Sequence, residues 1–238
     1  MVDPDRRDAL ALVAGLGMTA AGLALGGCSK GAGSESEVTA NEDLMREHGV
    51  LRRILVVYRE TAPKLAAEPR TFDARALADA AALFRTFGEH YHEQLLEEQH
   101  IFPIVRKAGG EGAGLVDTLL AQHARGRAIT DYIIDRTRSG AIASGDADAL
   151  AKAMIAFCRM YEAHTAREDT IIFPAFKQAL GEKKYEELGD QFEDIERNEF
   201  GGDGFDIALD KIGAIERSLG VSALADFTAP LPAGSTAA

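Results

Sequence analysis

His164 and Glu168 stand four residues apart in HTAREDTIIFP (164–174), and a similar phrase, EEQHIFP, occupies 97–103. On a helix with 3.6 residues per turn that spacing separates two side chains by only about 40°, so both face one way. Phe157, Tyr161, Ile171 and Ala175 share that face, and it is the one expected to pack inward. An ionised carboxylate turned into an apolar interior costs several kcal/mol unless it is paired or coordinates a cation. Imidazole with carboxylate is a donor mixture suited to iron, manganese or zinc. Helical bundles that hold two such ions build their sites from inward-facing Glu and His. The chemistry on offer is metal ligation.

The phrase belongs to a longer repeat. Glu97 and Glu168 are 71 residues apart, as are Pro103 and Pro174, and His48 precedes His123 by 75. The chain therefore reads as two helical hairpins, each supplying one histidine and then a histidine–glutamate pair. Folded about a pseudo-twofold axis, they would bring all six groups to one level. Any one of these histidines alone would be a solvated or hydrogen-bonded side chain. Glu168 alone would be a helix charge like those of EEL and FEDIE downstream. The set is what points to a metal: the histidines fall within the first four helices, and none lies in the C-terminal helices, tether or tail.

The second helix poses a conflict. His92 precedes Glu97 by five residues, which sets them about 140° apart on a regular α-helix. Either a single-residue π-bulge restores the alignment, or His90 takes the place of His92. His90 lies seven residues before Glu97, within about 20° of its direction but two turns away. His100, three after Glu97, stands in the register of Ile171 and could reach inward or sit at the rim. Tyr91 and Tyr161 read as core aromatics with a polar tip, close enough to donate to a bound species. Cys158 reads as a small apolar residue.

Four long amphipathic helices must position these groups. The first is expected from an N-cap at Asn41 to about Thr61, stopped before Pro63. The second runs from Thr71 or Asp73 to Lys107 and ends at AGGEGAG; the third spans about 115–138 and the fourth about 146–180. Short middle connections make an all-α, antiparallel up-down four-helix bundle the economical packing over 41–181. Two further amphipathic helices, 182–198 and 204–219, form a C-terminal extension (182–220), and 221–238 reads as a disordered tail.

Composition agrees: 238 residues with 46% hydrophobic content can bury a sizeable core, and no tryptophan is present. A formal charge of −12 excludes a general nucleic-acid role, because a phosphate surface would be repelled. Two cysteines, Cys28 and Cys158, are too few for a disulfide framework. No Ser-His-Asp order, phosphate loop or nucleotide fingerprint is present, so hydrolase and kinase readings have no support. The first 28 residues read as an export signal. Paired Arg6 and Arg7 before a weakly apolar middle resemble a twin-arginine signal, and LGGC resembles a lipobox in which Cys28 is lipidated. A membrane-spanning anchor is the alternative, since 19 uncharged residues could just cross a bilayer, although the run is rich in glycine. SKGAGSESEVTA (29–40) is a polar tether. The expected product is an exported, membrane-anchored lipoprotein of the cell envelope.

REHGVLRRIL with His48, YHEQLLEEQHIFP, QHARGR with His123, and HTAREDTIIFP together resemble the hemerythrin-like, or HHE cation-binding, family over about residues 41–180. The resemblance implies a four-helix bundle around two non-haem irons bridged by oxo and carboxylate groups. One iron would take His48 and His92, the other His123 and His164, with Glu97 and Glu168 bridging. Tyr-His-Glu before Glu-Glu is the family's phrasing, which favours His92 over His90. Oxygen-carrying members have paired histidines four apart on helix three, whereas Arg127 stands four after His123 here, so a coordination position is left open. The implied activity is binding of dioxygen or a related ligand such as peroxide or nitric oxide. The alternatives are a di-iron enzyme that reduces peroxide or nitric oxide, and an iron-storage or sensing module.

Overall fold

The computed structural model describes residues 38–232 and 234, so the expected export signal (1–28), Cys28 and most of the tether lie outside the described residues. Among the described residues the chain is all-helical, with six helices and no strand. They are α1 (Ala40–Ala67), α2 (74–108), α3 (Gly110–Thr137), α4 (147–180), α5 (Glu182–Phe200) and α6 (Gly204–Leu219). One 3-10 turn, Leu224–Phe227, follows Val221, which is itself buried. None of the described helices is long and apolar enough to cross a membrane.

Helix α1 starts earlier and ends later than its sequence suggests. Thr39, not Asn41, is the N-cap: it forms a capping box with Glu42, satisfying two first-turn donors reciprocally. Asn41 is instead a tertiary contact. Its side-chain amide donates to the Phe173 carbonyl at 2.9 Å, and its backbone N–H donates to the Tyr185 hydroxyl at 2.7 Å. Pro63 does not stop the helix. A proline removes one ladder bond, but Thr61, Ala62 and Leu65 around it are all buried, and that packing carries the helix on to Ala67.

The AGGEGAG stretch is also not a plain terminator. Gly109 and Gly110 take positive φ and turn the chain, but α3 begins at once, at Gly110 rather than near Leu115. Gly112 lies inside the helix, where a Cβ would fall 2.9 Å from Val105 Cγ1 and 3.4 Å from the Ala175 Cβ. It permits close approach of α2, α3 and α4 where the sequence suggested only a break.

Helix α1 packs along α4, and α3 packs on both α2 and α4, making a helical bundle. Tyr58, Phe84, Phe157 and Tyr161 form a buried aromatic layer, with edge-on ring pairs at 4.8–5.6 Å, that floors the level where the histidines gather. Cys158 packs beside it, its Sγ 3.2 Å from the Leu55 carbonyl. Helices α5 and α6 lie against α1 and α2. Arg53 holds Glu216 through two nitrogens (2.8 and 2.5 Å), Ser218 donates to Asp73 (2.8 Å), and Phe200 covers Tyr91 and Phe87.

Candidate metal centre

The π geometry that the second helix needs extends well beyond a single bulge. Backbone hydrogen bonding in α2 takes i→i+5 spacing over Phe84–Ile101, and the same spacing returns in α4 over Glu168–Ile172. In such a helix residues five apart stand over one another, so His92 and Glu97 face inward together. In α4 the four-residue step from His164 to Glu168 is made in ordinary α geometry just before the π segment. Both π segments end at a Phe-Pro, Phe102-Pro103 and Phe173-Pro174. There Phe102 N–H donates to the backbone carbonyl of Glu97 and Phe173 N–H to that of Glu168, five residues back.

The six residues expected as ligands meet at one level, each no more than 2% exposed. Nε2 of His48 and His92 are 3.0 Å apart, and Nε2 of His123 and His164 are 3.1 Å apart. Glu97 lies between the two pairs, with one oxygen 3.6 Å from His92 Nε2 and the other 3.4 Å from His123 Nε2. Glu168 does the same, one oxygen 2.9 Å from His164 Nε2 and the other 3.5 Å from His48 Nε2. Three donor groups result among the described residues: His123, His164, Glu97 and Glu168; His48, His92 and Glu97; and, toward the outside, Glu93, Glu98 and His123. The alternates are elsewhere. His90 is half exposed, facing Gln94 (3.2 Å) and Glu199 (3.4 Å) on the surface. The ring of His100 rests 5.6 Å from Phe192 of α5, and its partial burial lowers its pKa.

The sequence did not reveal what stands behind the histidines. His48 Nδ1 meets Asp169 at 2.6 Å, His92 Nδ1 meets Glu47 at 2.5 Å, His123 Nδ1 meets Glu98 at 2.9 Å, and His164 Nδ1 meets Gln122 at 2.9 Å. An acceptor at Nδ1 keeps the proton there and leaves the Nε2 lone pair directed at the cluster, the tautomer a metal requires. Each outer partner is the chain neighbour of a different inner residue: Glu47 of His48, Glu98 of Glu97, Gln122 of His123, Asp169 of Glu168. Adjacency to a candidate ligand was the available signal, although it does not say which histidine is served.

The outer ring is held in turn. Arg52 pairs with Asp169, and Arg127 pairs with Glu98 at 2.5 Å and Glu93 at 3.2 Å. Arg52 and Arg127 each stand four after a histidine of the cluster, so Arg127 repeats the role of Arg52. The Tyr91 hydroxyl donates to Glu47 (2.9 Å) and the Tyr161 hydroxyl to Glu93 (2.6 Å). Both tyrosines therefore turn their polar ends to outer carboxylates. Tyr161 can lie there because α3 has a glycine at 126, where a Cβ would fall 2.8 Å from the tyrosine Cζ. Burial opposes charge on Asp169 and Glu98, but hydrogen bonds from His48 and Arg52, and from His123 and Arg127, hold both carboxyls below their usual range. Burial likewise pulls His123 down, and Glu93, Glu97 and Glu98 outweigh it, lifting its pKa to about 10, so a cation bound at its Nε2 would displace a proton. His164, backed by an amide, is pushed down to about 4 by burial and then by the charge of His123.

All four carboxylate oxygens of Glu97 and Glu168 are buried without a hydrogen-bond donor. Four imidazole nitrogens converge on them. Two carboxylates so placed carry a desolvation cost that a shared cation removes, and the nitrogen–oxygen donor set fits a metal centre.

Comparison with known proteins agrees. Residues 39–176 match the hemerythrin HHE cation binding domain. The chain is 44% identical over 195 residues to uncharacterized proteins of Mycobacterium bovis and of two strains of Mycobacterium tuberculosis, which covers 82% of this chain and 75% of each relative. No solved structure gives a significant match. The chain belongs to the hemerythrin HHE cation-binding family and carries the histidine and glutamate clusters of a metal-binding protein. Helices α5 and α6 lie beyond the matched segment.

Proposed function

We propose that the chain is a non-haem di-iron protein, built as an antiparallel up-down four-helix bundle with α5 and α6 appended, that binds dioxygen or a related small ligand. The observation that carries this reading is the pair of donor-less carboxylates, each offering one oxygen to each histidine pair. His48 and His92 would hold one iron, His123 and His164 the other, and Glu97 and Glu168 would bridge. When bound, the irons supply the capacity to bind and reduce oxygen species. The chain supplies imidazoles fixed in one tautomer, a buried aromatic floor and an outer ring of charge. The cell-envelope location is part of the proposal and rests on Arg6, Arg7 and the LGGC at Cys28.

Arg127 favours a second reading, reduction of peroxide or nitric oxide. The side chain that stands where oxygen carriers of the family have a histidine is an arginine bound to Glu98 and Glu93. It cannot ligate. Metal analysis of the purified protein, with optical spectra before and after oxygen, tests both readings. Fewer than about one iron per chain after iron-replete expression, with another metal in its place, overturns the di-iron assignment. A carrier takes up oxygen reversibly and consumes no reductant. An enzyme turns over peroxide or nitric oxide with a donor, and a storage protein exchanges metal without a stable oxygen adduct.

A further inference from the structure

The outer ring obeys the pseudo-twofold relation that pairs α1 with α3 and α2 with α4, except at one residue. Helices α2 and α4 each contribute the residue after their glutamate, Glu98 and Asp169, and each of these carboxylates is paired with an arginine. Helices α1 and α3 each contribute the residue before their histidine. On α1 that residue is the carboxylate of Glu47, buried, 2.5 Å from His92 Nδ1. On α3 it is the amide of Gln122, 2.9 Å from His164 Nδ1. With Nδ1–H donating, the amide must present its oxygen, so Gln122 fixes the ring as Glu47 does but without a negative charge.

A carboxylate behind an imidazole raises its basicity as a ligand, and loss of such a partner costs about 10–100-fold in metal affinity. We propose that the two metal positions are inequivalent and that Gln122 sets the difference: the His123–His164 position is the weaker, exchangeable one, and the His48–His92 position the retained one. The surroundings point the same way. A cleft of ≈ 390 Å³ opens on the His123 side, its wall including Glu98, which accepts from His123, and Phe102, whose ring stacks 5.5 Å from it. The matching flank at Phe173, whose ring stacks 5.4 Å from His48, is tied to α5 through Asn41 and Tyr185. The weaker position thus also has a surface cleft directly behind two of the residues that contact His123. The inference rests on the metal reading above and adds an asymmetry that the reading does not require.

The test is anaerobic loading of the full chain with ferrous iron alone, followed by release into excess chelator, read as iron remaining against time. The wild type should lose its iron in two phases differing by about tenfold or more. His164→Ala, which removes a donor from the weaker position only, should abolish the fast phase. Gln122→Glu, nearly isosteric, should slow the fast phase by about tenfold, and Glu47→Gln should speed the slow one by a like factor. Melting of each variant before loading checks that the fold is kept. A single phase in the wild type, or a fast phase unchanged in Gln122→Glu, overturns the inference while leaving a metal centre in place. Absence of bound iron in every variant overturns the metal reading and the inference with it.

Discussion

The α1–α2 half and the α3–α4 half of the bundle have the same inner residues and reach them by different backbone routes. In α4, His164 and Glu168 are four apart on an ordinary α-helix; in α2, His92 and Glu97 are five apart on a long π-type segment. The endpoints nevertheless match. Each glutamate offers one oxygen to each histidine pair, and each Phe-Pro follows a π turn. An inserted residue would ordinarily rotate every later side chain by about 100°. Here widened turns absorb it, so the donor geometry, not the helical register, is what the two halves hold in common.

The largest effect should come from the residues that join the halves. In the proposed two-metal centre, removing Glu97 or Glu168 would take a donor from both positions at once, whereas His48→Ala or His164→Ala would take one from a single position. Glu168→Ala is therefore expected to lose nearly all bound metal, and each histidine variant no more than about half, as measured by metal analysis after identical loading. A ligand bound only to the folded state contributes about 2.7 kcal/mol at a hundredfold excess over its dissociation constant. A chelator should accordingly lower the melting temperature of the wild type and leave that of Glu168→Ala unmoved. Equal metal retention in Glu168→Ala and His164→Ala would break the bridging assignment.

A smaller effect, opposite in sign between the halves, is expected at two glycines near the cluster. Gly126 on α3 has no room for a methyl group, because Tyr161 lies across it on the way to Glu93. Gly49 on α1 has nothing within 4 Å of the place a Cβ would occupy. Gly126→Ala should destabilise by about 1–3 kcal/mol through overpacking. Gly49→Ala should stabilise by up to about 1 kcal/mol through helix propensity. Urea denaturation of both variants reads the difference directly. Two changes of the same sign would mean that Tyr161 is not seated against α3.

The inner six residues were legible because a repeat exposes them: histidine, then histidine and glutamate, then Phe-Pro, twice at nearly constant spacing. The helices were legible for the same reason that most amphipathic helices are, and their centres matched better than their ends. Pro63 and AGGEGAG each looked like a stop. Burial of Leu65 in one case, and close packing at Gly112 in the other, overrode the local signal. The outer ring was not legible. Glu47, Glu98 and Asp169 are three acidic residues in a chain with 38, and adjacency to a candidate ligand is the one local feature that sets them apart. Which histidine each serves depends on how neighbouring helices face one another, and that is a property of packing. Arg127 shows the cost: from sequence it is a missing histidine, whereas in the fold it is the counterpart of Arg52.

The smallest expected effect tests the backbone comparison itself. On a regular α-helix His90, two turns before Glu97, would be the residue aligned with it, and His92 would point elsewhere. The π segment reverses that choice, leaving His90 half exposed beside Gln94 and Glu199 and placing His92 between His48, Glu47 and Glu97. His90→Ala should therefore change stability by no more than about 0.5 kcal/mol, as surface substitutions do, with metal content unchanged. His92→Ala should lose metal from the His48 position and strand the Glu47 carboxylate in the core. Metal analysis of the two variants side by side decides between the registers. A loss at His90 with none at His92 would restore the α-helical register to α2, and the match between the two halves would then end at their sequences.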